Sequence, residues 1–122
     1  MFDHLELHWK WPIKDYVYFD KAEYVHPYQQ YDVQYMLGKA EQNPHIKLLV
    51  LFGSSVTSRC NKHSDIDVYL ETDDGSEPRM EFMPMRVGVD NLYNFTDGDW
   101  KSWIGREIER NGIILLDRRD NG

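Results

Sequence analysis

The spacing of apolar residues between positions 28 and 42 predicts an amphipathic helix. Four of them recur at the i, i+3, i+4 and i+7 positions that share one helical face: Val33, Met36, Leu37 and Ala40. Asn43 and Pro44 follow this segment, and a proline cannot continue a helix because it lacks the backbone N–H. We therefore expect the helix to end near residue 42.

Two segments after this helix have the patterns of β-strands. Residues 46–52 form a nearly continuous apolar run between Pro44 and Gly53, which is typical of a strand buried on both faces. Residues 64–71 alternate between polar and apolar side chains with the period of two expected of a strand. Between them we expect a short turn or helix over residues 54–61, and after them a polar loop over residues 72–78.

The last third of the chain predicts a strand, a helix and a closing strand. The first strand is expected over residues 86–95, after an extended piece near residues 80–83. Thr96 or Asp97 is expected to cap the helix, and Gly112 to stop it. One face of this helix is predicted to carry four apolar residues: Trp100, Trp103, Ile104 and Ile108. The apolar residues 113–116 predict the closing strand.

The order helix–strand–turn–strand–strand–helix–strand is typical of a small α/β sandwich, in which a mixed β-sheet packs with helices. At 122 residues the chain can bury one core without disulfides, so we expect a single domain spanning residues 1–122. Residues 28–117 are predicted to form its core. The aromatic residues 1–27 leave three interpretations open: an irregular arm, a pair of strands, or a contact surface for a partner.

Composition excludes several classes of protein. The 21 acidic and 14 basic side chains leave a net charge of −7, which suits a protein that collects metal cations. Nonspecific nucleic-acid binding and membrane-surface binding need a basic footprint, so we expect neither. No apolar run approaches the ~18 residues that span a bilayer, no apolar signal segment follows Met1, and the lone Cys60 cannot form an internal disulfide. We expect a soluble cytoplasmic protein.

Asp65 and Asp67 have a spacing that indicates metal binding. Two positions apart on a strand, they are expected to project their carboxylates from one face, while Ile66, Val68 and Leu70 point into the core. Two carboxylates held this close repel each other unless a cation lies between them. Hard oxygen ligands suit Mg²⁺, which shares its remaining coordination positions with water and substrate phosphates.

Gly53 and Ser54 directly follow the buried strand of residues 46–52. A glycine at this point allows the backbone to approach a ligand closely, and the serine offers a hydroxyl. If a helix starts here, the next backbone N–H groups, including that of Ser55, can point at an anion. Gly53, Ser54 and Ser55 are therefore predicted to bind the phosphates of a nucleotide.

Asp90 lies among apolar residues of the strand predicted over residues 86–95. A carboxylate in that setting is costly unless it is paired or bound to a metal. If this strand neighbours the strand of Asp65 and Asp67, the three carboxylates form one site, which can hold two metal ions about 3.5–4 Å apart. Asp65, Asp67 and Asp90 are accordingly the predicted metal ligands and catalytic residues.

The spacing of these elements resembles a known signature. Gly53-Ser54, ten further residues and then an Asp-X-Asp at Asp65 and Asp67 match the pattern of the polymerase-beta-like nucleotidyltransferase superfamily. Over residues 28–117, the chain length and the order of elements resemble its smallest branch, the minimal nucleotidyltransferase (MNT) proteins. The resemblance implies the nucleotidyltransferase fold and an Mg²⁺-dependent enzyme that transfers a nucleoside monophosphate, with AMP from ATP as the expected case, to an acceptor hydroxyl.

The same resemblance implies a role for each matching residue. Gly53 and Ser54 would hold the phosphates, Asp65 and Asp67 the metal, and Asp90 would complete the metal site and take the proton from the acceptor. The chain departs from the pattern where many relatives have an arginine directly after Gly-Ser and a second glycine four residues after the serine. It has Ser55 and Ser58 at these two positions, and the differences bear on nucleotide choice and turnover.

The resemblance also implies a biological setting. Stand-alone MNT proteins often pair with helical HEPN-family ribonuclease toxins, and some act as antitoxins by adding AMP to a toxin tyrosine, so the expected partner and acceptor is a HEPN-family protein. The alternative is a binding protein that keeps the fold, has little or no catalytic activity, and docks on such a partner through residues 1–27. A nucleic-acid-tailing enzyme is disfavoured by the acidic charge and the small size.

Overall fold

Four β-strands form one mixed sheet in the part of the chain that the computed structural model describes, which is residues 8–76, 89–93 and 97–119. The strands are β1 (Ile46–Phe52), β2 (Ile66–Thr72), β3 (Val89–Tyr93) and β4 (Ile113–Asp117), and their order across the sheet is β3-β2-β1-β4. β1 is antiparallel to both β2 and β4, whereas β2 and β3 are parallel. The predicted mixed sheet is confirmed.

Two α-helices pack on this sheet: α1 (Gln30–Gln42) and α2 (Trp103–Asn111). All four residues that the sequence assigns to the apolar face of the first helix are buried: Val33, Met36, Leu37 and Ala40. A 3₁₀ helix over Pro27–Gln29 precedes α1, and Asn43 ends it as predicted. Among the described residues, neither helix has the length and apolar character that crossing a membrane would need.

The sheet has an apolar core on each face, because side chains alternate between the two faces along every strand. The face that α1 covers includes Ile66, Val68 and Leu70 of β2, as the alternation predicts. On the other face Tyr69 of β2 packs with Ile108 of α2. The molecule is therefore a sandwich of helix, sheet and helix, as the order of elements predicts.

The start of α2 differs from its prediction. A 3₁₀ helix occupies Asp97–Lys101, and Ser102 caps α2 by accepting a hydrogen bond from the backbone N–H of Gly105 at 3.0 Å. Asp97 is therefore not the cap, and Thr96 lies outside the described residues. Because the cap separates the two helical segments, Trp103 leaves the face that Ile104 and Ile108 share and is 76 % exposed. The assignment of Trp103 to the apolar face is wrong.

Trp100 nevertheless reaches the core from the 3₁₀ segment, where its ring meets Tyr69 edge-on at 4.8 Å between centroids. Gly112 ends α2 as predicted, and the reason is space. A β-carbon there would lie 2.4 Å from the carbonyl oxygen of Ile108 and 2.6 Å from Cγ1 of Val50. The close approach lets the chain pass directly from α2 into β4.

The described part of the N-terminal segment, residues 8–27, is an irregular arm fixed to α1 and not a pair of strands. The side chain of Gln30 donates to the carbonyl oxygens of Pro12, Ala22 and Val25 and accepts from the N–H of Lys14. These hydrogen bonds pair backbone groups of the arm that a β-strand would pair with a neighbouring strand. The arm also shields the edge strand β4, because Lys21 Nζ donates to the carbonyl oxygen of Ile114 at 2.9 Å.

Arg118 joins the end of β4 to the end of α1. Its guanidinium donates to the carbonyl oxygens of Ala40, Glu41, Asn43 and Ile46, at distances from 2.5 to 3.2 Å. The last carbonyls of a helix have no partner within the helix, so a cation at this point satisfies them. This residue follows the last predicted strand, and its role could not be predicted from local pattern.

Candidate active site

The turn after β1 places the predicted phosphate-binding residues at one end of the sheet. Gly53–Val56 forms a 3₁₀ helix that begins directly after Phe52. Gly53 has a φ of 76°, in the left-handed region that residues with a β-carbon adopt only at a cost. The backbone therefore turns sharply out of the buried strand at the glycine, as the sequence predicts.

Asp67 lies directly against this turn. Strand pairing sets Asp67 of β2 opposite Phe52 of β1, the residue before Gly53. A β-carbon built on Gly53 would lie 2.6 Å from Oδ2 of Asp67, which is inside van der Waals contact. The carboxylate thus occupies the space that a side chain at position 53 would need, and the two halves of the sequence motif meet at this point.

Asp65 and Asp67 differ in their surroundings. β2 begins at Ile66, so Asp65 is exposed in the loop that leads into the strand, and strand alternation alone does not set the direction of its carboxylate. Asp67 is half-buried within the strand, between the buried residues Ile66 and Val68. It alternates with these core residues and belongs to the face that Tyr69 shares with α2.

Asp90 lies on the strand that neighbours β2. In β3, Val89 is opposite Ile66 and Asn91 is opposite Asp67, with a register irregularity between the two pairs. The backbone of Asp90 therefore passes beside the start of β2, where the two parallel strands have their N-terminal ends together. The strand pairing assumed for Asp90 is confirmed, and its role as a metal ligand stays a prediction.

Ser54 and Ser55 occupy different environments although they are adjacent. Ser54 is half-buried, and its carbonyl oxygen accepts from the backbone N–H of Thr57 at 3.1 Å. Ser55 is fully buried, and its hydroxyl donates to Oε1 of Gln29. Any contact of Ser55 with a nucleotide would consequently involve its backbone and not its hydroxyl. The positions of Ser54 and Ser55 do not test the prediction that these two residues bind a nucleotide.

Gln29 is a residue of the site that the sequence interpretation missed. Its side chain is 1 % exposed and contacts both Ser55 and the carbonyl oxygen of Ser64, the residue before Asp65. A signal was available in the sequence, because Gln29 lies four residues before Val33 and so continues the apolar face of the helix. A polar residue on such a face is expected to have a specific partner.

A second group of metal-capable side chains lies at the far end of β1 in the described part of the chain. His45, Asp73 and Asp74 bring one ligand atom each within 4.8 Å of one another, and all three residues are exposed. Seven residue steps from Ile46, at about 3.3 Å per residue, separate this end of β1 from Gly53 by roughly 23 Å. Lys47 Nζ also lies 3.5 Å from Asp73, so a cation already partners this carboxylate.

The hydrogen bonds of this group explain it as the closed end of the strand pair β1–β2. The backbone N–H of Asp73 donates to the carbonyl oxygen of His45 at 3.0 Å, and Nδ1 of His45 lies 2.9 Å from Oδ1 of Asp73. The hydrogen bond with Asp73 and the charge of Asp74 raise the pKa of His45 above its ordinary value. Correspondingly, the hydrogen bond with His45 lowers the pKa of Asp73. These contacts close the start of β1 onto the end of β2.

Comparison with known proteins gives the class to which this fold and motif belong. A family model described as nucleotidyltransferase domain matches residues 35–110, which include Gly53, Asp65, Asp67 and Asp90. The match covers more than half of the 122 residues, and the chain belongs to this nucleotidyltransferase domain family. Membership of this family supports the general assignment of the chain as a transferase of nucleotidyl groups. No curated protein matches the chain.

Proposed function

We propose that this chain is a minimal nucleotidyltransferase that moves AMP from ATP onto an acceptor hydroxyl and releases pyrophosphate. The observation that carries the proposal is the contact between Gly53 and Asp67. It brings the turn that would bind phosphates against a carboxylate that would bind metal, within a chain of the nucleotidyltransferase domain family. Neither half of the motif would be sufficient for transfer without the other.

The residues at this end of the sheet fit a divalent cation. Asp65 and Asp67 offer carboxylate oxygens, the hard ligands that Mg²⁺ prefers, and the glycine at position 53 leaves room for the Asp67 carboxylate beside the turn. Asp90, on the neighbouring strand, is the third proposed ligand. When bound, Mg²⁺ would supply positive charge to the phosphates and so favour attack on them and departure of pyrophosphate.

In the proposed reaction, an acceptor oxygen forms a bond to the α-phosphorus while the bond from that phosphorus to the β-phosphate oxygen breaks. The Ser54 hydroxyl and the backbone N–H groups of the Gly53–Val56 turn hold the triphosphate. Asp90 accepts the proton that leaves the acceptor hydroxyl. Catalysis then comes mainly from holding the reactants in line and from electrostatic stabilisation of the developing charge.

For the acceptor we propose a hydroxyl on a partner protein of the HEPN type, which would make the pair a cytoplasmic toxin–antitoxin system. This part rests on the resemblance to MNT proteins. The aromatic side chains of the N-terminal arm are a suitable contact surface for such a partner, since Tyr16 and Tyr18 are 75 % and 81 % exposed. Exposed tyrosines of this kind are common in protein interfaces.

The test is transfer of label from α-³²P-ATP to the protein encoded beside this chain's gene, with Mg²⁺ present. We expect labelled partner with the unchanged chain and a loss of about 100-fold or more with Asp65→Asn or Asp67→Asn, since even changes to residues that only hold metal ligands in place cost roughly 10–100-fold. Asp73→Asn, in the exposed group of His45, Asp73 and Asp74, is the control and should keep full activity. Tight binding of the partner without transfer of label would sink the proposal and favour inhibition by docking.

A further inference from the structure

The buried side chain of Gln29 connects the two loops that carry the site residues. Its Oε1 accepts from the hydroxyl of Ser55, the residue after Ser54, and its Nε2 donates to the carbonyl oxygen of Ser64 at 2.7 Å. Ser64 directly precedes Asp65. Both polar ends of one planar amide are therefore used, one on each half of the motif.

The surroundings of Gln29 make this connection rigid. The side chain is 1 % exposed and Ser55 is fully buried, so water cannot readily replace the hydrogen bond between these two residues, whereas the bond to Ser64 is partly buried. His26, at the start of the same 3₁₀ turn, donates its backbone N–H to the carbonyl oxygen of Ser55 at 2.8 Å. The segment before α1 thus holds the turn after β1 by a side chain and by the backbone.

The Ser64 side of the connection is also ordered locally. Asn61 accepts from the N–H of Ser64 through its carbonyl oxygen at 3.1 Å, and its own N–H donates to the Ser64 hydroxyl at 3.0 Å. Gln29 provides a contact between this loop and the segment that precedes α1. Asp65 lies between Ser64 and the first residue of β2, so the anchoring of Ser64 holds the backbone that leads into Asp65.

We propose that Gln29 is a positioning residue that sets the distance between the phosphate-binding turn and the metal-binding carboxylate of Asp65. It contacts neither group directly and acts through Ser55 and Ser64. The inference rests on the proposed function of those two loops.

The chain offers a matched control in the adjacent glutamine. Gln30 is also fully buried, and the hydrogen bonds that its side chain makes with described residues go to the N-terminal arm. Gln29→Met and Gln30→Met keep the volume and remove the amide in both cases. A purely structural role of Gln29 would make the two variants behave alike, apart from overall stability.

The first measurement is amide hydrogen exchange at residues 53–55 and 64–66, which does not depend on any activity. We expect Gln29→Met to speed exchange in both loops together, and Gln30→Met to leave it unchanged there once global stability is matched. Ser55→Ala, which cuts only one side, should affect residues 53–55 more than residues 64–66, and it serves if Gln29→Met does not fold. Equal exchange in the Gln29 and Gln30 variants would overturn the inference.

The second measurement is Mn²⁺ affinity by electron paramagnetic resonance, together with kcat and KM for transfer. Changes to residues that hold metal ligands in place cost roughly 10–100-fold, so Gln29→Met should lose about tenfold in Mn²⁺ affinity and lower kcat more than it changes KM. Gln30→Met should keep both. If the unchanged chain transfers no label, the proposed function fails, whereas the positioning role of Gln29 is still decided by the exchange measurement.

Discussion

Gly53 lies so close to Asp67 that a β-carbon on the glycine would be 2.6 Å from Oδ2 of the aspartate. The two residues are fourteen positions apart in the sequence and are joined by the pairing of β1 with β2. The glycine is thus required twice, once for its φ of 76° and once for the space above it. Several consequences of this contact can be measured separately.

Gly53→Ala should abolish most activity and also destabilise the fold. The left-handed backbone costs a residue with a β-carbon about 1–2 kcal/mol, and the clash with Asp67 adds to this. Because a shift of about 1 Å at a catalytic group can cost roughly 100-fold, we expect transfer to fall by about that factor. Activity and urea denaturation on the same preparation check both parts.

Gly75→Ala is the matched control for this experiment. Gly75 has a φ of 73°, and nothing lies within 4 Å of the place its β-carbon would take. Its substitution should show the cost of backbone strain alone and leave transfer unchanged. Similar stability losses in Gly53→Ala and Gly75→Ala would mean that the clash with Asp67 does not add to the cost of backbone strain.

Mg²⁺ should stabilise the chain through Asp67. A ligand that binds only the folded state at 100 times its dissociation constant adds about 2.7 kcal/mol to the free energy of unfolding. We expect this gain in the unchanged protein and in Asp73→Asn, and its absence in Asp67→Asn. Thermal unfolding with and without Mg²⁺ measures this gain; equal gains in all three proteins would place the metal elsewhere.

The pair His45 and Asp73 should stabilise the fold most in mildly acidic solution. The raised pKa of His45 means that its contribution is complete below the ordinary value of 6.5 and is lost as the pH rises through the folded-state pKa. The lowered pKa of Asp73 means that its contribution is complete above 3.8 and is lost as the pH falls through its folded-state pKa. The window of full coupling therefore lies between these two ordinary values.

A double-mutant cycle with His45→Gln and Asp73→Asn tests this window. Coupling should be measurable at about pH 5 and weaken above the raised pKa of His45, and added salt should reduce it because both groups are exposed. Coupling that grows with rising pH would contradict the assignment.

Arg118→Ala should cost far more than Arg119→Ala, although the two arginines are adjacent. Arg118 donates to four carbonyl oxygens at the end of α1 and the start of β1, and hydrogen bonds from a charged group contribute about 1.5–3 kcal/mol. Arg119 pairs with Asp117, two residues away at the surface, where an ion pair contributes about 0–1 kcal/mol. Urea denaturation measures the free energy of unfolding of both variants. Equal losses would show that Arg118 does not stabilise the connection between β4 and α1.

Local pattern was sufficient to predict the elements that repeat regularly. β1 has the predicted bounds, the four apolar residues of α1 are buried, and Ile66, Val68 and Leu70 share the core face of β2. Local pattern failed at Trp103, because a cap at Ser102 interrupts the helical period that the prediction assumed to be continuous. Capping depends on where the preceding segment packs, which no local window contains.

What the sequence by itself determined is the set of chemical groups: the glycine and serine after a buried strand, the two aspartates at the start of the next, and Asp90 on a third. Their spacing along the chain was enough to predict strands, a metal-binding chemistry and a family. Only the tertiary structure decided which groups meet, because contacts such as Gly53 with Asp67 and Gln29 with Ser64 depend on strand register and on packing between segments far apart in the chain. The proposed role of Gln29 likewise depends on the fold, because its partners Ser55 and Ser64 lie far from it in the sequence.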